Sequence, residues 1–152
     1  MMDDNELTLK AWRYLGRLIG QDLQMRSPDM SPTEVVDEEV FLPMFDHERQ
    51  YLNYDPGYIC KTKTGNVVKL LQSYDSMIYP QEPEELAAQW GFYWSTDPKH
   101  AKPFFKASTS PYGKDDCCTF DGHVWRSTIP NNVWTPMEHP QGWEDLGLIP
   151  QS

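Results

Sequence analysis

The stretch Tyr112-Gly113-Lys114-Asp115-Asp116-Cys117-Cys118-Thr119-Phe120-Asp121-Gly122-His123-Val124-Trp125-Arg126-Ser127 decides the fold. Two short runs rich in β-branched and aromatic residues, Cys117 to Phe120 and Val124 to Ile129, flank Asp121-Gly122-His123, which reads as the tight turn of a hairpin. A polar loop follows, Pro130-Asn131-Asn132, then Trp134-Thr135-Pro136, Pro140 and a closing Trp143. The same order occurs upstream. It starts at Tyr54-Asp55-Pro56-Gly57 and runs through Ile59 to Thr62, the turn Thr64-Gly65-Asn66 and Val67 to Gln72. It continues with Ser73-Tyr74-Asp75-Ser76, then Tyr79-Pro80, Pro83 and Trp90. Phe45 and the pair Phe104-Phe105 precede the two copies in similar places. Ordered agreement of this kind marks an internal repeat.

The expected fold is therefore mostly β: an N-terminal α-helix followed by two small tandem antiparallel β modules. The boundaries are a helix over 1–26, an acidic connector over 27–40, a first module over 41–94, a linker over 95–103 and a second module over 104–152. Trp94 is expected to begin that linker, and Lys99-His100-Ala101-Lys102 to be a solvated connector. Glu82 to Ala88 reads as a helical turn inserted before Trp90.

Composition agrees. The chain has 152 residues, 39% hydrophobic and 13% aromatic, with 13 prolines. Apolar content carried by rings rather than aliphatic runs argues against a helical bundle or a Rossmann sheet. With 13 Lys+Arg against 23 Asp+Glu the net charge is −10, which disfavours nucleic acid as a partner because phosphate binding needs a basic face. No apolar run is long enough to span a membrane. The acidic start, Asp3-Asp4-Asn5-Glu6, lacks the basic-then-apolar order of a signal peptide. Three cysteines, Cys60, Cys117 and Cys118, form neither a disulfide framework nor a zinc spacing, and are expected to be buried thiols.

The N-terminal helix places Asp3, Asp4 and Glu6 at the positive end of its dipole, with Lys10, Arg13 and Arg17 after them. Leu7, Ala11, Leu15 and Leu18 recur at helical spacing, and Trp12, Ile19 and Leu23 widen the band. Ser27-Pro28 and Ser31-Pro32 stop it. A helix this apolar either docks on the following domain or associates with copies of itself through residues 5 to 25.

The second copy resembles the chitin-binding-type modules of carbohydrate-binding families 5 and 12. Tyr112, Asp116, Cys118, Phe120, Asp121-Gly122, Trp125, Trp134-Thr135-Pro136 and Trp143 fall in register with the family pattern. Val124 to Ser127, Asn132 to Pro136 and His139 to Trp143 look especially like the versions in tailed-bacteriophage structural proteins. The likeness covers about residues 41 to 147. Asp115 stands where the family has glycine, and Tyr79 stands where it has a sugar-stacking tryptophan.

The resemblance implies a carbohydrate site made by ring stacking. Trp134 is the principal candidate, because a polar loop before it and Thr-Pro after it form a context that exposes a ring; the alternative is that it packs on the neighbouring module. Tyr79 has the corresponding role in the first copy. Asn132 and Tyr74, with Asn131 and Asp75, are candidates to hydrogen-bond sugar hydroxyls or simply to solvate their loops. Trp90, Trp125, Trp143, Tyr54 and Tyr112 are expected to fill the core. Glu82, Glu84 and Glu85 offer no facing carboxylate pair. Asp115, Asp116, His123 and His139 have no metal-ligand spacing, so neither catalysis, a metal nor another cofactor is expected.

The function so implied is non-catalytic: a bacteriophage virion protein of a tail fibre, baseplate or head fibre, made in the host cytoplasm without a signal peptide. Its partners would be surface polysaccharide, other virion proteins and further copies of itself through the helix. Two alternatives stand beside it, a virion decoration or cement protein that binds no sugar and a targeting module of a polysaccharide hydrolase.

Overall fold

A computed structural model describes residues 3–150. Helix α1 (Asp4–Arg26) is capped by Asp3, whose side chain accepts from the Glu6 backbone N–H. Pro28 cannot continue it, and a second short helix α2 (Pro32–Asp37) begins in the segment expected to be a connector. The Ser31 hydroxyl accepts from Glu34 N–H while the Glu34 carboxylate accepts from Ser31 N–H, a complete capping box. Val35 and Val36 are fully buried with Leu23, Leu42, Ile59 and Val67. The connector is thus a packed element, with Glu34 and Asp37 on the outer side of a helix whose underside is apolar.

The β region matches the expected architecture of two small sheets. Strands β1 (Ile59–Lys61), β2 (Val67–Leu70) and β3 (Trp90–Tyr93) form one antiparallel sheet in sequence order. Strands β4 (Lys102–Pro103), β5 (Cys117–Phe120), β6 (His123–Ser127) and β7 (Trp143–Leu148) form the other. All its pairings are antiparallel except β4 with β5, which is parallel. The last strand of each sheet begins at the closing tryptophan of its repeat.

The repeat extends to atomic detail. Phe45 N–H donates to Lys61 O and Phe104 N–H to Thr119 O, so each sheet starts with a parallel contact to its first hairpin strand, Met44 with Lys61 and Pro103 with Thr119. Phe45 stacks on Tyr51 at 5.5 Å and 18°, and Phe104 on Tyr112 at 5.4 Å and 18°. Tyr51 meets Trp90 edge-on at 5.1 Å, and Tyr112 meets Trp143 at 5.3 Å. Tyr51 OH accepts from Asp46 N–H, and Tyr112 OH from Phe105 N–H. The structural counterpart of Tyr112 is therefore Tyr51. Tyr54, matched to it from sequence order, sits beside this triad and touches Tyr51 edge-on at 5.1 Å.

The two modules share one core. Trp94 is only 4% exposed. It stacks between Phe92 (5.6 Å) and Tyr112 (4.5 Å), and its indole N–H donates to Ser110 O. Trp94, expected to begin the linker, follows directly on β3 and is a core residue. The residues after it are also tied down, with Cys117 N–H donating to Ser95 O and the Lys102 ammonium 2.7 Å from the Glu39 carboxylate. Trp90, Tyr112 and Trp143 are buried as expected, while Trp125 and Tyr54 are half-buried. All three cysteines are buried free thiols.

Candidate functional site

In each module the segment between the last two strands, β2 to β3 and β6 to β7, carries the candidate residues. The loop of the second module is pinned by Asn132, which is fully buried. Its backbone exchanges two hydrogen bonds with Tyr112, its amide donates to Ser127 Oγ (3.1 Å) and Gly142 O (2.9 Å), and its carbonyl Oδ1 accepts from Trp134 N–H. Gly142 leaves the room this needs: a Cβ there would lie 2.8 Å from His139 Cδ2 and 3.2 Å from Asn132 Nδ2. The expectation that Asn132 meets a sugar hydroxyl is thus corrected, because every polar atom of its side chain is engaged inside the loop.

What that pin achieves is the presentation of Trp134. Its N–H is held by Asn132 and its carbonyl accepts from the Trp143 indole N–H at 2.8 Å. With the backbone fixed on both sides, the indole stands 42% exposed. His139 backs it at 5.3 Å and 51°. The following turn is closed by reciprocal bonds between Thr135 and Glu138, Thr135 N–H to Glu138 Oε1 and Glu138 N–H to Thr135 Oγ1. Hydrogen bonds from Thr135 hold the Glu138 carboxyl below the usual range. The turn therefore offers an aromatic plane, an imidazole and a carboxylate anion in adjacent positions. Sequence reasoning picked out the ring, weighed His139 only as a metal ligand and passed over Glu138, whose only signal was its place in Thr-Pro-Met-Glu-His.

The first module arranges the same parts differently. Tyr74 is 7% exposed; its hydroxyl accepts from the Trp90 indole N–H at 2.9 Å and its ring lies against Tyr51. It is a core residue, and its expected role toward sugar is likewise corrected. Ser76, fully buried, donates to His47 O and accepts from Tyr51 N–H. Asp75 Oδ1 accepts from the Gln50 amide and from Met77 and Ile78 N–H, which holds its carboxyl below the usual range. These bonds build a turn from which Met77, Ile78 and Tyr79 project, Tyr79 being 53% exposed. Unlike Trp134, the Tyr79 ring has no aromatic neighbour among the described residues.

A separate cluster lies where α2 meets the turn Pro98–His100. Asp37, Asp97 and His100 bring one ligand atom each within 4.8 Å of one another, with His100 Nε2 3.5 Å from Asp37 Oδ1 and 4.0 Å from Asp97 Oδ2. A 3-10 turn eclipses residues three apart, so Asp97 and His100 face the same way. A protonated His100 forms ion pairs there, and a neutral imidazole with two carboxylates suits a borderline divalent ion. This grouping differs from the acids and histidines noted in the sequence, because it joins segments some sixty positions apart. Comparison with known proteins yields no match for this chain among family models, curated proteins or solved structures.

Proposed function

We propose that the chain is a non-catalytic carbohydrate-binding protein, a bacteriophage virion component that holds surface polysaccharide by stacking sugar rings on Trp134 and, more weakly, on Tyr79. The observation that carries this is the exposure of one aromatic ring on the equivalent loop of each module, while Trp90, Trp94 and Trp143 are buried. The motif likeness of the second module supplies the ligand class and the virion setting. Burying ~100 Å² between a pyranose face and an indole contributes about 2–3 kcal/mol, which alone corresponds to roughly millimolar binding. Two rings per chain, and several chains on one particle, would raise retention on a polymer through avidity.

The test is a pull-down on chitin and cell-wall polysaccharide with Trp134→Ala and Tyr79→Ala. Trp134→Ala is expected to abolish retention while lowering stability by less than about 1 kcal/mol, since the lost contacts are those of a half-exposed ring. Retention should also survive high salt, because stacking is not screened as charge pairs are. Full retention by a folded Trp134→Ala protein would overturn the assignment. Stable capture by capsid or tail protein, with no retention on any polymer, would favour the decoration alternative.

A further inference from the structure

The cluster where α2 meets the turn Pro98–His100 is held in place from both sides. On one side Thr33 Oγ1 accepts from Thr96 N–H at 2.9 Å and bonds the Thr96 hydroxyl at 2.9 Å. On the other the Lys102 ammonium lies 2.7 Å from the Glu39 carboxylate. Between these two ties Asp37, from the first segment, faces Asp97 and His100 from the second. Each donor is also positioned by its own element. Asp37 is the last residue of α2. Asp97 caps the turn: its Oδ1 accepts from Lys99 N–H at 3.0 Å and its N–H donates to Ser95 Oγ, which leaves Oδ2 toward His100.

The spacing of the donors separates a ligand set from an ordinary ion pair. His100 Nε2 lies 3.5 Å from Asp37 Oδ1 and 4.0 Å from Asp97 Oδ2, and its ring hydrogen-bonds neither. His123 and Asp145, by contrast, close to 2.9 Å, a hydrogen bond. Around Zn²⁺, with nitrogen and oxygen ligands at about 2.0–2.2 Å, tetrahedral donors stand about 3.3–3.6 Å apart. One separation falls in that range and the other lies just beyond it, within reach of a small turn of an exposed side chain. Neither carboxylate has a Lys or Arg partner among the described residues, in a chain of net charge −10. Asp37 moreover ends a helix, where the free carbonyls favour a cation. Two anions gathered beside an imidazole call for a divalent ion, and the imidazole selects one of borderline softness over Ca²⁺ or Mg²⁺. The three side chains are 35–51% exposed, which leaves room for water as the fourth ligand.

We infer that Asp37, Asp97 and His100 bind one divalent transition ion of the Zn²⁺ class, a clasp between α2 and the segment that leads into β4. The site is independent of sugar recognition. The test takes the full chain, stripped with chelator, and titrates it with Zn²⁺ alone. Calorimetry should read one ion per chain, and a hundredfold excess over the dissociation constant should raise the melting temperature by about 5 °C or more. His100→Ala and Asp37→Asn should each weaken binding by at least about tenfold, with far-UV circular dichroism and the metal-free melt unchanged. His123→Ala, which removes the other imidazole–carboxylate pair, should bind as the parent does. Co²⁺ in place of Zn²⁺ should give weak visible bands without the intense thiolate band that the buried cysteines would supply if they were the ligands. No binding by the folded parent, parent-like binding by the His100→Ala and Asp37→Asn chains, or a thiolate band would each overturn the assignment.

Discussion

The two β modules share a plan and differ in what receives the indole N–H of the closing tryptophan. In the first, Trp90 donates to the hydroxyl of Tyr74, which draws that tyrosine into the core. In the second, Trp143 donates to the backbone carbonyl of Trp134, which fixes the chain and leaves the Trp134 ring outside. One buried donor needs one acceptor, and whether a side chain or a main chain supplies it decides which ring is left for the surface. The first module spends a tyrosine on its interior and shows solvent a second, unbacked one. The second keeps its interior need local and shows solvent a tryptophan backed by His139.

The largest effect expected from disturbing this comparison is at the closing tryptophans. Trp90→Ala and Trp143→Ala should each cost about 3–5 kcal/mol. Because Phe92, Trp94, Tyr112 and Phe104 stack across the boundary, calorimetry should show a single transition for either variant. Two resolved transitions would mean the modules fold separately. Next comes Asn132→Ala, which strands Trp134 N–H and leaves Gly142 O with only the Thr128 N–H as donor; a loss of about 1–3 kcal/mol is expected in urea unfolding, with weaker polymer retention although Asn132 never reaches solvent.

A smaller effect separates the modules by pH. Burial pushes the Asp116 carboxyl up to about 6, opposed by a hydrogen bond from Gly113 N–H and reinforced by the neighbouring Asp115 charge. Its pKa in the folded chain lies above the unfolded value, so the folded state binds the proton more tightly. Its contribution is then fully present below about pH 4 and is lost as pH rises through about 6. Asp116→Asn keeps an acceptor and cannot ionise, so it should gain about 1–2 kcal/mol over the parent above about pH 6 and nothing below about pH 4. Equal gains at both ends would show that charge is not the cause.

The smallest expected effect is at Asp115. Its N–H donates to Ser127 O as that of Gly57 does to Leu70 O, and both have positive φ, 77° and 105°. A side chain in that region costs about 1 kcal/mol relative to glycine. Asp115→Gly should therefore stabilise by about that amount and also lower the Asp116 pKa, measurable by thermal melts at two pH values.

How much of this the sequence disclosed follows from range. Glycine hairpins and β-branched runs are local signals, so the hairpin strands β1, β2, β5 and β6 were legible to within a residue or two. β3 and β7 were not, because Trp-Gly-Phe-Tyr and Trp-Glu-Asp-Leu-Gly-Leu lack clean alternation and owe their strand form to pairing with β2 and β6. Trp134 and Tyr79 were legible because proline and polar neighbours hold a chain at the surface. Asn132 and Tyr74 misled for the same reason: a polar loop residue looks solvated until its partners, Gly142 O and the Trp90 indole, are brought to it by the fold. The Ser31-Pro32 pair was taken only as a stop, whereas α1 already ends at Arg26 and this pair starts α2.

The repeat places Cys60 and Cys118 at matching positions, opposite Val68 and Trp125 on the neighbouring strand. Both are fully sealed, and burial raises both thiols, Cys118 to about 12. The first sheet thus carries one sealed thiol, and the second carries Cys118 with Cys117 beside it. The rate at which Cys60 or Cys118 becomes alkylated under native conditions times the opening of its own sheet, without any cysteine having to be introduced.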